Sequence, residues 1–302
     1  MTRANTPAIA TPTDTDRTDA AGDLRALFRD EVVSRYDFAG APRLVRGRSG
    51  DELTTVYGTA RVAAWARAQK IFMAWTRERA VFTEETVARG KQTYDEFFAE
   101  HDLLRGQVLD IGGGWGLYRE WWTPDPSDLF VVHDPGVERF LAGPHEHHRR
   151  QYGRAFALPM SFVEGFGETL PYVDRSFDRC VIAASLDHCL DPARVLAECR
   201  RCLRPGGKLL LLQHCHAEHA PAARPESLVR RLLRALRSPR RAVASAWLRL
   251  RYPDVHLHHF RVSALSEALH AAGFSSVEVE PGPDGGDSFR FIATTRPEPQ
   301  TS

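Results

Sequence analysis

Apolar residues recur at helical spacing through the first third of the chain and then, from Gly106, gather into short runs. Leu24, Leu27, Phe28 and Val32 open the periodic part. A second stretch, Val62 to Trp75, carries Trp65, Ile71, Phe72 and Trp75, and a third, Glu84 to Leu104, carries Val87, Tyr94, Phe97 and Phe98. This spacing predicts a helical N-terminal cap over residues 23–105. Residues 1–22 are rich in Thr, Ala, Pro and Asp and have no apolar period, which predicts a disordered leader. They also lack the apolar stretch of a signal peptide.

Beyond Gly106 the period shortens. Gln107–Ile111, Leu129–His133, Met160–Val163, Arg179–Ala184 and Lys208–Gln213 read as buried strands, with helices such as Leu117–Trp122 and Pro192–Leu203 between them. Alternation of this kind predicts an α/β domain over 106–297 with a parallel sheet covered on both faces. Its end differs. A helix over Ser263–Ala272 precedes strands at Ser276–Glu280 and Phe289–Thr295, and the Gly/Pro/Asp-rich residues 281–287 predict a hairpin between them. An insertion at about 216–255 separates this unit from the fifth strand, and Pro239 divides it into two helices.

Composition adds limits. The 302 residues carry 40 Lys+Arg against 39 Asp+Glu, a formal net charge of +1, which excludes wholesale nucleic-acid binding, and no DNA partner is expected. The balance is an average over unlike parts. Residues 224–252 hold nine Arg and one Glu, leaving 31 basic against 38 acidic residues elsewhere. No apolar run reaches membrane-spanning length. Five cysteines without framework spacing predict a reducing cytoplasm. Cys199 and Cys202 form a C-x-x-C within a helical segment, where packing on one face is a better reading than zinc.

The sharpest local feature is Val108-Leu-Asp-Ile-Gly-Gly-Gly-Trp-Gly116. A buried strand runs into a glycine turn, where the backbone can approach a ligand closely. Its spacing matches neither G-x-G-x-x-G nor the P-loop, which disfavours dinucleotides and nucleoside triphosphates. Asp110 stands at the strand's carboxyl end, the edge where open α/β sheets bind ligands. Asp134 ends the second strand about 20 residues after the turn, a position that suits ribose hydroxyls, although Asp134-Pro135 also reads as a plain turn.

With these residues the chain resembles the class I S-adenosylmethionine-dependent methyltransferases, in particular their type 11-like subgroup. Val108–Gly116 is similar to the family's first motif, and Asp134 to its ribose-binding acid. Glu164-Gly-Phe-Gly-Glu-Thr-Leu-Pro171 with Ser176-Phe-Asp178 resembles the adenine loop and the start of strand four. Ser185–Pro192 resembles the segment after that strand, and Leu196–Gly207 the helix and turn leading into strand five. The resemblance implies seven strands in the order 3-2-1-4-5-7-6, the last antiparallel, a Rossmann-like sheet. It also implies an enzyme whose cofactor is S-adenosyl-L-methionine, bound by Asp110, Gly112, Gly114, Asp134, Phe166, Gly167, Glu168 and Ser185. One position departs. Many relatives have Gly-Asp where this chain has Gly165-Phe166, so Phe166 offers the adenine a ring face in place of a hydrogen bond. Glu168 reads either as a contact to the adenine amine or as a solvated loop acid, and Trp115 as a pocket residue or, preferably, as packing against the helical leader.

The expected reaction is methyl transfer to a small-molecule or glycan acceptor, at a hydroxyl oxygen by default. A hydroxyl must lose its proton, which calls for a base. His188 lies just past strand four and is the preferred candidate, with His258 second. His214 and His216 follow strand five at the same edge, whereas His145, His147 and His148 read as a solvated loop. Of His256, His258 and His259 only Asp254 is a near acidic neighbour, so no metal is expected. The Arg-rich insertion reads as an acceptor lid, as a surface for an anionic acceptor or a membrane, or as a solvated face. Two other functions stay open: a methyltransferase-fold binding or scaffold protein, and an RNA methyltransferase. Ser185-Leu-Asp-His188 is unlike the Asn/Asp-Pro-Pro-Tyr/Phe signature of nucleic-acid amine methylation. The pattern sets no oligomeric state.

Overall fold

A computed structural model describes residues 24–40, 44–47, 51–76, 83–101, 103–216, 256–282 and 287–298. The predicted leader and nearly all of the insertion lie outside these residues.

The sheet is built from runs that are apolar on both faces. Strands β3 (Val108–Ile111), β4 (Phe130–His133) and β5 (Ser161–Val163) are buried at every position, as parallel central strands must be. β6 (Phe177–Ala183) and β7 (Leu203–His216) continue the parallel set. β9 (Ser276–Pro281) and β10 (Ser288–Thr294) form the hairpin, and β10 runs antiparallel to β7 from Ser288 opposite His214 to Thr294 opposite Lys208. The order β5-β4-β3-β6-β7-β10-β9 is the expected 3-2-1-4-5-7-6 arrangement. A two-residue strand, β8 (Phe260–Arg261), pairs with the end of β7.

The helix Pro192–Cys202 shows why the segments between strands fold as they do. Asp191 caps it by accepting from the Arg194 N–H at 3.1 Å, Pro192 occupies the first turn, and Arg200 and Arg201 sit in the last. Val195, Cys199 and Cys202 share its buried face and join Cys180 in the main core, as packing predicts.

The cap departs from expectation in kind. Residues 59–76 and 84–100 are helices, but Tyr36–Gly40 and Leu44–Gly47 are strands β1 and β2. β2 pairs in parallel with β5, Leu44 opposite Phe162. The stretch expected to be wholly helical thus extends the sheet. The cause is a small aromatic cluster: Phe28 meets Tyr36, Phe38 and Tyr172 edge-on at 5.0, 4.9 and 5.2 Å between ring centres. Tyr36 and Phe38, two apart, point to one face only in a strand. A second difference follows the glycine turn, where Leu117–Trp121 forms a short 3₁₀ helix. Gly116 enters it at φ 64°, and Trp122 is already extended and fully buried.

Candidate active site

The carboxyl ends of β3, β4, β5 and β6 open onto a cavity of about 720 Å³, within the usual range for small-molecule sites. One end is made by the glycine turn. Gly112 and Gly114 have φ 70° and 54°, conformations that only glycine holds without strain. A Cβ on Gly113 would collide with the Asp110 carboxylate, and one on Gly112 with Ser185. Asp110 is fully buried beneath this turn. Among the described residues neither of its oxygens has a hydrogen-bond partner. Burial, and then the charge of Asp134, push its pKa up to about 8, against the pull of Arg119.

Asp134 ties the site together. One carboxylate oxygen accepts from the Gly114 N–H at 3.0 Å and the other from the Gly136 N–H at 2.6 Å. Arg139 reaches the same wall. Its guanidinium lies 4.5 Å from the Trp115 ring centre, and the indole N–H donates to the Arg139 carbonyl. Trp115 lines the cavity and packs on Arg139, His145 and His148.

The loop after β5 is held from below by His133. Burial lowers its pKa to about 4, so the ring is neutral. Its Nε2, 3.2 Å from the Phe166 carbonyl, must carry the proton, which leaves Nδ1 to accept from the Tyr172 hydroxyl at 3.1 Å. Gly165 is small because any side chain there would strike this imidazole. The loop so placed brings Phe166, Gly167 and Glu168 to the cavity. Glu168 is buried, not solvated, and accepts from the Leu190 and Asp191 N–H groups at 2.7 and 3.3 Å. It locks the loop after β6 against the cavity, and burial raises its pKa. In that loop the Ser185 hydroxyl donates to the Ile111 carbonyl at 3.0 Å.

The other end is closed by the helix Thr59–Thr76. The Trp65 indole N–H and the Gln69 amide donate to the His188 carbonyl at 2.9 and 3.2 Å. Trp65 meets Phe166 edge-on at 5.2 Å, and Phe72 lies 4.5 Å from the His188 ring. His188 is buried and lines the cavity. His258 is elsewhere: its Nε2 hydrogen-bonds the Cys189 carbonyl at 3.0 Å, and it does not line the cavity. His148 is buried rather than solvated, stacked on Tyr152, with its pKa lowered to about 4 by burial.

Of the residues expected at the cofactor, Gly112, Asp134, Phe166, Gly167, Glu168 and Ser185 line one cavity together with His188, Asp110 lies buried beneath the turn and Gly114 is bonded to Asp134, while His258 lies outside the cavity. Four contributors went unforeseen: His133, Arg139, Trp65 and Phe72. Trp65 and Phe72 enter the sequence reading only through helix periodicity, and Arg139 does not enter it.

Comparison with known proteins agrees with this geometry. Residues 109–211 match the family described as "Methyltransferase domain". A ubiquinone/menaquinone biosynthesis C-methyltransferase of Methylobacterium nodulans is 33% identical over 114 residues, 37% of this chain and 43% of that protein. The corresponding protein of Acidiphilium cryptum is 42% identical over 121 residues, 38% and 45% of the two chains. The chain thus spans less than half the length of these curated relatives. Among solved structures, the YcgJ protein of Bacillus subtilis aligns over 68% of this chain and 98% of its own at 15% identity, with a TM-score of 0.44. Residues 109–211 are a class I S-adenosylmethionine-dependent methyltransferase domain. The methyl donor of that family is S-adenosylmethionine.

Proposed function

We propose that this protein transfers the methyl group of S-adenosylmethionine to a small molecule held beneath the helix Thr59–Thr76. The observation that carries the reading is Asp110: a fully buried carboxylate that has no hydrogen-bond partner among the described residues, set under a glycine turn at the edge of a large cavity. Such a group calls for a cationic donor, and the ammonium of the donor's methionine part is one. Asp134 would hold the ribose hydroxyls and Phe166 the adenine face, and the Gly112–Gly114 turn would allow close approach. The cofactor supplies an activated methyl group on a sulfonium. The protein's own task is to hold the acceptor in line and to remove its proton.

His188 is the proton acceptor in this reading, because it is the histidine of the predicted pair that lines the cavity. A hydroxyl is the default acceptor. The names of the curated relatives point to carbon, and a phenol reconciles the two. Loss of its proton to His188 enriches both the oxygen and the adjacent ring carbons, and orientation beneath Trp65 and Phe72 decides which attacks. The acceptor's anionic character and a lipid contact through residues 224–252 belong to the same proposal, motivated by the nine arginines. Sedimentation with anionic vesicles at two salt concentrations tests the lipid contact; no binding at low salt rejects it. The five cysteines, all free, suit the cytoplasm.

The deciding experiment is methyl transfer from labelled donor into a metabolite extract, with the product located by mass and its methylated atom by NMR. Donor binding without transfer to any acceptor would leave a cofactor-binding scaffold.

A further inference from the structure

Two imidazoles and a carboxylate meet where the loop after β6 faces the segment leading into β8. Asp187 and His188 lie on the 3₁₀ turn Leu186–His188. The Leu257 and His258 N–H groups both donate to the Asp187 carbonyl, at 2.9 and 3.2 Å, and this holds His256 alongside. One Asp187 oxygen, Oδ2, lies 3.6 Å from His256 Nε2, and the other, Oδ1, lies 4.0 Å from His188 Nε2. The two imidazole centres are 4.8 Å apart. Asp187 is 5% exposed, and among the described residues its Oδ1 has no hydrogen-bond partner.

These separations are too long for hydrogen bonds. They are close to the spacing of ligand atoms around a tetrahedral ion, which is about 3.4 Å for metal bonds of 2.0–2.1 Å. We propose that Asp187, His188 and His256 form a three-ligand site for a divalent transition metal of the zinc or ferrous-iron class. Two imidazoles with one carboxylate suit these borderline ions, whereas magnesium and calcium prefer all-oxygen sites. The half-exposed His256 gives the ion a route in. Three protein ligands leave a position for an outside oxygen, and His188 puts that position at the cavity wall. On the methyl-transfer reading this oxygen is the acceptor's. A coordinated hydroxyl loses its proton more readily, and the ion then takes over that task from His188. Ion binding itself does not depend on the methyl-transfer reading.

The local sequence hid this cluster. His256 has Asp254 nearby but meets Asp187, which arrives from the far side of the insertion.

The test is titration of the metal-stripped full-length chain with Co²⁺, followed by visible absorption and by stoichiometry. The expected result is about one tightly held Co²⁺ per chain with a tetrahedral-type band that Zn²⁺ abolishes. Asp187→Asn and His256→Ala should each weaken uptake at least tenfold, while His259→Ala should not change it. No band in the wild-type chain, or equal uptake by wild type and His256→Ala, would overturn the site. S-adenosylmethionine affinity measured on the same His256→Ala sample reports whether the fold is intact. If wild type takes up Co²⁺ but no S-adenosylmethionine, the cofactor reading fails and the metal site stands.

Discussion

The two ends of the cavity are built in different ways. The cofactor end comes from consecutive elements: a strand, a glycine turn and the acid that closes the next strand, with the Gly114 N–H donating to the Asp134 carboxylate and Asp110 buried beneath the turn. The acceptor end is assembled from three distant segments, the helix Thr59–Thr76, the loop after β6 and the residues before β8. The first is a motif and the second is a meeting place. A turn that must cradle one fixed cofactor tolerates little change, while a wall made of separate elements can be refitted to new acceptors.

Substitutions at the two ends should therefore fail differently. His188→Ala should lower turnover by roughly two to four orders of magnitude, the range for loss of a proton-transfer group, and leave donor affinity within about threefold. Parallel loss of donor affinity in calorimetry would merge the two ends into one. Asp110→Asn should do the reverse and weaken donor binding by roughly tenfold to a hundredfold, the worth of a hydrogen bond to a charged group. Because the Asp110 pKa lies at about 8 before the donor arrives, binding at pH 7 should release close to one proton. Calorimetry in buffers of different ionisation enthalpy reads that release, and a buffer-independent heat would contradict it.

The frame beneath the ends responds to pH in its own way. Folding lowers the His133 pKa from 6.5 to about 4. Its contribution is complete above pH 6.5 and is lost as pH falls towards 4, on the order of 3 kcal/mol in all. His133→Gln should flatten that part of the acid-unfolding curve; an unchanged slope would mean the ring is charged in the folded chain. Asp110 acts with the opposite sense. Its raised pKa favours the fold most below pH 3.8, and that advantage disappears as pH rises to about 8. The smallest effect belongs to Trp65→Phe, which removes one hydrogen bond to the His188 carbonyl. It should raise the acceptor KM a few-fold with little change in kcat.

What could be read in the sequence follows the same division. The buried parallel strands were legible as short, largely apolar runs, and their order came with the family resemblance that the contiguous glycine turn carries. The expected cofactor residues came with the same resemblance. β1 and β2 escaped because they are short and half polar, and only the ring of Phe28 reveals why Tyr36 and Phe38 face one way. His148 sits in the polar string Glu146-His-His-Arg-Arg-Gln151, and is buried because Trp115 and Tyr152 pack against it. Glu168 stayed open between an adenine contact and a loop acid because its two amide donors lie beyond the next strand. The pairing of Asp187 with His256 crosses the insertion, and no local period reports it.

The hairpin of β1 and β2 has a practical consequence. It lies alongside β5 and takes up that strand's free edge, while β1 itself is short, irregular between Asp37 and Gly40, and carries Asp37 opposite Arg46. Charge and irregularity of this kind keep a border from zipping onto a second molecule. A chain trimmed to the recognisable domain, starting at Gly106, would keep every cofactor residue and yet lay β5 bare. Its fault would be stickiness rather than lost chemistry: clumping on warming, and light scattering that grows with concentration, in a protein whose binding turn is intact.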